Sequence, residues 1–295
     1  MSLSKHSLKT ESLLAQTQRL LRHSGLRARK GLAQHFLVDE EVLGLIISAA
    51  QLTPEDVVIE VGPGLGVLTR ELARQAGSVV AIELDDKLAV ILKQTMPSFK
   101  NLTIVNEDVL KVDPAALIKE LKTGLPPENY KLVANLPYYI TSPALRHFLE
   151  AQIKPQNMVV MVQKEVAEEI VAKPGRMSLL SVSVQLYSEP TIVSYVPAQC
   201  FYPVPEVDSA ILRVLPYSQP IIKVSDRKSF FTLVRAGFSA ARKQIANSLS
   251  QGLLSSKAEA LSLLERAEIA PQRRAETLTI EEWAHLWRIY TGVEE

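Results

Sequence analysis

The passage from Val57 to Gln75 limits the fold more than any other. A β-branched run, Val57-Val58-Ile59-Glu60-Val61, stops at Gly62-Pro63-Gly64-Leu65-Gly66, and a helical pattern over 67–75 follows at once. Short apolar runs bounded by glycine and proline read as strands buried on both faces. A strand that turns tightly into a helix returns in parallel, because the helix has to cover the sheet it left. The unit repeats: 78–84 predicts a second strand, 86–96 a second helix with Pro97 beyond it, and 102–105 and 131–134 two more strands. Runs at 158–162, 191–196 and 209–215 complete an expected sheet of about seven strands. The expected fold is α/β, a doubly wound, seven-stranded Rossmann-like sheet with helices on both faces.

Pro203, Pro205, Pro216 and Pro220 punctuate the chain after this sheet, and 228–254, 256–267 and 280–290 are helical in pattern. Three parts are expected: a basic N-terminal extension, 1–26; an α/β domain, 27–216; and a small all-helical C-terminal domain, 217–295. Trp283 and Trp287, four apart on one helical face, are expected to pack in the core. No apolar run approaches the roughly 18 residues that span a bilayer, and the first residues lack the apolar core and cleavage site of a secretory signal. A cytoplasmic protein without membrane contact is therefore expected. Cys200 is the single cysteine. With no disulfide partner and no clustered zinc ligands, it is expected to be a small buried apolar side chain, and no metal site is expected.

The glycine turn places backbone where a ligand can approach closely, since missing Cβ atoms permit tight turns. Its spacing is G-x-G-x-G, with Val67 where a dinucleotide fingerprint has glycine, and no G-K-[ST] follows to make a phosphate loop. Glu60, Glu83 and Asp108 fall at the ends of consecutive predicted strands, the edge at which open α/β sheets bind ligands. Glu83 lies about 20 residues past the turn, the offset of a ribose-binding acid. Asp108 is able to accept the hydrogens of an adenine amine; the alternatives are a solvated Glu83 and an Asp108 that caps the next turn.

Asn135-Leu136-Pro137-Tyr138-Tyr139 follows the fourth strand. This set suits an amine on an aromatic ring, whose lone pair is delocalised and has to be aimed. The Asn135 side-chain oxygen and a backbone carbonyl such as that of Leu136 supply acceptors for its hydrogens. Tyr138 offers a ring for a base to stack on.

Taken together, Gln34-His35-Phe36-Leu37, the turn 60–66, Ala81-Ile82-Glu83-Leu84-Asp85, Glu107-Asp108, Asn135-Leu136-Pro137-Tyr138 and Phe201 through Ser209 resemble the ribosomal RNA adenine dimethyltransferases over about residues 27–290. The resemblance implies a methyltransferase sheet and S-adenosyl-L-methionine as cofactor, held by His35, Leu37, Gly62, Gly64, Glu83, Asp108 and Asn135. It implies that Asn135, Leu136, Pro137 and Tyr138 present the target amine, with Phe201 stacking on the opposite face of the base. It further implies dimethylation of two adjacent adenines in a small-subunit rRNA helix loop, a pre-30S particle as partner, a role in subunit biogenesis and a monomeric enzyme. The family often has asparagine at the positions of His35 and Tyr139.

The net charge is only +1, so an RNA partner has to be read from local charge. Residues 1–30 carry seven Lys and Arg against Glu11 alone, and 227–257 contain no acid. Lys228, Arg235 and Arg242 recur every seven residues on the predicted helix 228–254, with Lys243 beside them, and suit phosphate contact; the competing reading is a solvated helix face. Two enzyme rivals are a large-subunit rRNA dimethyltransferase and a DNA adenine methyltransferase, the latter commonly with aspartate at position 135. A non-catalytic assembly factor is the rival from another class.

Overall fold

The computed structural model describes residues 11–25, 34–120, 130–222 and 225–293. Helix α1 (Leu13–His23) precedes strand β1 (Phe36–Leu37) and helix α2 (Glu40–Ala50). The repeating part follows: β2 (Val57–Val61), α3 (Val67–Gln75), β3 (Ser78–Glu83), α4 (Asp86–Thr95), β4 (Leu102–Asn106), α5 (Pro114–Glu120), β5 (Tyr130–Asn135), α6 (Thr141–Leu149) and β6 (Asn157–Gln163). Then come α7 (Lys164–Ile170), α8 (Leu179–Gln185), β7 (Ser188–Val196), β8 (Phe201–Tyr202) and β9 (Ser209–Pro216). Four helices close the chain: α9 (Arg227–Phe238), α10 (Ile245–Gly252), α11 (Lys257–Arg266) and α12 (Ile280–Thr291). None of the described helices is long and apolar enough to cross a membrane.

Seven strands form one sheet, the number expected, and their order is β4-β3-β2-β5-β6-β9-β7. β4 through β6 are parallel, and β9 runs antiparallel between β6 and β7. From β2 the chain winds outward to β4, then returns to lay β5 on the other side of β2. The crevice above β2 and β5 is therefore the point where the winding reverses, the usual ligand position in such sheets.

Successive strand residues face opposite ways, so two apolar layers form. Val58, Val79, Val133 and Val159 pack under α2 and α3. Ile59, Ile82, Leu132 and Val160 belong to the other layer, which runs without a break into α9–α12. Trp283 and Trp287 are fully buried there, as expected. The Trp287 indole N–H donates to Ser229 Oγ at 2.7 Å.

Four features depart from expectation. The predicted helix 228–254 is two helices, because α10 folds back onto α9: a Cβ on Gly252 would stand 2.4 Å from the Ala236 Cα. The turn between them is held by Ser248 Oγ donating to the Ala240 carbonyl at 3.0 Å. Second, part of the basic extension is helix α1, whose Leu13, Thr17 and Leu21 are buried; Lys5, Lys9, Arg27, Arg29 and Lys30 lie outside the described residues. Third, β1 and β8 form a two-stranded antiparallel ribbon apart from the main sheet. Fourth, Cys200 is only partly buried, and its thiol lies 3.6 Å from Asp39 Oδ2.

Candidate active site

Above the reversal point lies a cavity of about 310 Å³. Its floor is the glycine turn. Gly62, Gly64 and Gly66 all have positive φ, and a Cβ on Gly66 would come within 2.1 Å of Met96 Cε. The turn and β5 meet here too: a Cβ on Gly62 would touch the Pro137 ring at 3.5 Å. That distance is ordinary contact, and it is the positive φ of Gly62 that favours glycine where the chain leaves β2.

Four acids line the cavity: Glu60, Glu83, Glu107 and Asp108. Glu83 accepts from the Gly64 amide at 3.1 Å and from the Asp85 amide at 2.9 Å, through different oxygens. Each oxygen keeps a second lone pair, so the carboxylate is still able to take two vicinal hydroxyls. Burial raises its pKa, and the two amides oppose that rise. Asp108 Oδ1 accepts from Leu110 N at 3.0 Å, so it does cap the next turn while lining the cavity. Glu60 is the deepest acid, only 1% exposed, and its Oε2 has no hydrogen-bond partner among the described residues. Burial pushes its carboxyl up to about 8, with the charge of Glu83 adding to the shift.

The wall made by the end of β5 is built from distant segments. Asn135 Nδ2 donates to the His35 carbonyl at 3.2 Å. A carbonyl only accepts, so this bond fixes which end of the amide is which and leaves Oδ1 as the acceptor on offer. The His35 ring is oriented in the same way, with Nδ1–H donating to the Pro203 carbonyl at 2.7 Å. Tyr138 stacks beside that ring, with centroids 6.2 Å apart at 22°. Its hydroxyl is 2.8 Å from Ser209 Oγ. Leu37, Leu136 and Pro137 line the same cavity. Segments near residues 35, 135 and 203–209, distant in sequence, thus converge.

Tyr138 and Tyr139 share a single 3-10 turn, Tyr138–Ile140, in which neighbouring side chains diverge by about 120°. Tyr138 is directed to β9. Tyr139 is 52% exposed, and the charges of Glu83 and Asp108 add to burial in raising its pKa. The second tyrosine therefore stands on the side of the acids.

Phe201 is 2% exposed and packs in the apolar layer beneath α2, outside the cavity lining. Its backbone pairs with Leu37, which lines the cavity, in the β1–β8 ribbon. The four basic residues are redistributed. Lys228 and Arg235 are exposed on α9, whereas Arg242 and Lys243 sit on the turn after it, so the seven-residue spacing does not put all four on one helical face. Ser209 and the buried state of Glu60 were not foreseen. The first is visible only once β9 is placed beside β6, and the second depends on Thr69 and the helices above the sheet.

A family model described as ribosomal RNA adenine dimethylase matches residues 25–291. A ribosomal RNA small subunit methyltransferase A from Dehalococcoides mccartyi is 53% identical over 282 residues, 96% of this chain and 95% of its own. One from Moorella thermoacetica is 45% identical over 279 residues, 92% of this chain and 96% of its own. Among solved structures, the 23S rRNA methyltransferase ErmE is similar at 30% identity and a TM-score of 0.66, over 86% of this chain and 98% of its own. A dimethyladenosine transferase from Plasmodium falciparum, 24% identical, has the same fold at a TM-score of 0.71, over 88% of this chain and 99% of its own.

Proposed function

The chain belongs to the ribosomal RNA adenine dimethylases, and from that premise we propose that it transfers methyl groups from S-adenosylmethionine to the exocyclic amines of two adjacent adenines in a small-subunit rRNA loop. The cavity fits that cofactor on its own terms. Glu83 has lone pairs for the ribose hydroxyls, Asp108 and Tyr139 of the same lining would hold the adenine, and the open glycine turn at Gly62 and Gly64 would admit the rest. His35, Leu37 and Asn135 complete the set. When bound, the cofactor supplies an electrophilic methyl carbon.

One observation carries the reading: the Asn135 amide is locked by the His35 carbonyl so that Oδ1 is presented as an acceptor beside Tyr138. An adenine amine donating one hydrogen to Oδ1 and another to the Leu136 carbonyl has its lone pair turned out of conjugation and aimed. Tyr138 holds the base by stacking, its ring fixed by Ser209. The amine proton becomes acidic only after the nitrogen is alkylated, so no strong base is required, and positioning supplies the rate enhancement. A base in a loop is the least costly to unstack into such a cavity. Lys228, Arg235, Arg242 and Lys243 serve phosphates of the same RNA, and the enzyme works as a cytoplasmic monomer on a pre-30S particle. The small-subunit target is supported by relatives of that name at 45–53% identity, against 30% for the large-subunit enzyme.

The test is transfer of labelled methyl groups to small subunits lacking adenine dimethylation, with large subunits and DNA as controls and Asn135→Ala alongside. Labelled dimethyladenosine in the small subunit is expected, reduced about 100-fold or more in the variant. Label confined to large subunits would move the activity to the other RNA, and tight binding without transfer would make the chain an assembly factor.

A further inference from the structure

We infer that helix α1 is part of the cofactor site, with Leu21 as a positioning residue, and that docking of this helix and binding of the cofactor are energetically coupled. The inference takes the cofactor's identity from the function proposed above, but its geometry is independent of that reading.

The helix begins at Ser12, whose hydroxyl accepts from the Ala15 amide, and buries Leu13, Thr17 and Leu21. These are spaced by four, so they form one stripe along the helix. Leu21 packs in a small apolar cluster whose other fully buried members are Phe36, Leu65 and Leu88. All three of those residues line the cavity. The helix thus covers, from outside, the side chains that the cofactor would touch from inside.

The contact continues to the acid that holds the ribose. The Phe36 ring lies against the glycine turn, 3.1 Å from where a Cβ on Gly64 would stand, and the Gly64 amide donates to Glu83 at 3.1 Å. Leu21 supports Phe36, Phe36 supports the turn, and the turn orients the carboxylate. Without α1 the outer faces of Phe36, Leu65 and Leu88 would meet water, and their positions would relax. The docked state also carries a built-in cost, since the Thr17 hydroxyl is buried with no partner among the described residues. A helix docked with such a cost is one whose equilibrium a ligand is able to shift. If docking favours the cofactor, the cofactor favours docking by the same factor.

The experiment uses the full chain. Amide hydrogen exchange over residues 13–23 is followed with and without S-adenosylmethionine, and cofactor affinity is measured by calorimetry for wild type, Leu21→Ala and Leu21→Met. About tenfold slower exchange in α1 with cofactor is expected, together with about tenfold weaker binding for Leu21→Ala. Turnover at saturating cofactor should stay within about twofold, and Leu21→Met, which refills the volume, should bind nearly as wild type. Equal exchange with and without cofactor, or unchanged affinity in Leu21→Ala, overturns the coupling. The exchange comparison needs no variant, so it decides the matter even if Leu21→Ala folds poorly. A wild-type chain that does not bind S-adenosylmethionine overturns the cofactor assignment itself, which is a different failure from a chain that binds it without protecting α1.

Discussion

The function proposed for Tyr138 has two parts that substitutions separate. Its ring offers stacking, and its hydroxyl meets Ser209 Oγ. Tyr138→Ala should raise the KM for RNA by roughly 5- to 150-fold, the equivalent of about 1–3 kcal/mol of lost stacking, while cofactor affinity changes little. Tyr138→Phe should lose only a fraction of that, and steady-state kinetics against substrate subunits with a cofactor titration will resolve the two. Glu60 gives a pH signature. Its carboxyl titrates near the ordinary 4.5 in the unfolded chain and near 8 when folded. Between those values the folded state holds a proton that the unfolded state has lost, so the contribution to stability is full below about 4.5 and is lost as pH rises through about 8. Glu60→Gln should flatten the fall by up to about 1.4 kcal/mol per pH unit, read by urea unfolding from pH 5 to 8.

At the scale of elements, the parallel core was legible because β2, β3, β5 and β6 are buried on both faces and read as unbroken apolar runs. The ribbon of β1 and β8 was not, since two residues have no period to detect. The break between α9 and α10 was also hidden. No proline or glycine stands in 239–244, and the reason for the turn, Gly252 against Ala236, lies at the far end of the next helix. The same limit applies to the site. Glu83, Asp108, Asn135 and Tyr138 follow strand ends and could be found by position, but the burial of Phe201 beneath α2 is visible only once β8 is paired with β1 across the fold. The helix break makes a prediction about RNA. Lys228→Gln and Arg235→Gln, on one exposed face of α9, should each lower the slope of log affinity against log salt by about one and weaken binding without altering cofactor affinity. Filter binding of small-subunit RNA across a salt series measures it, and an unchanged slope would leave that face merely solvated.

At the scale of the molecule, α9–α12 and one face of the sheet share a single apolar layer. The division at about residue 216 is therefore a change of architecture with no gap in the packing. Differential scanning calorimetry should record one cooperative transition, with calorimetric and van't Hoff enthalpies equal, and two resolved transitions would refute a shared core. A chain ending at Pro216 would uncover the side of α8 that meets α9. The shared layer also bears on how such a chain diversifies. Because the helices lack a finished inner surface, they are not a portable cassette: a graft from a relative would have to carry matching residues on α6 and α8. Drift in the helical half is consequently tethered to packing positions in the other half, and the two halves are expected to change in step through descent.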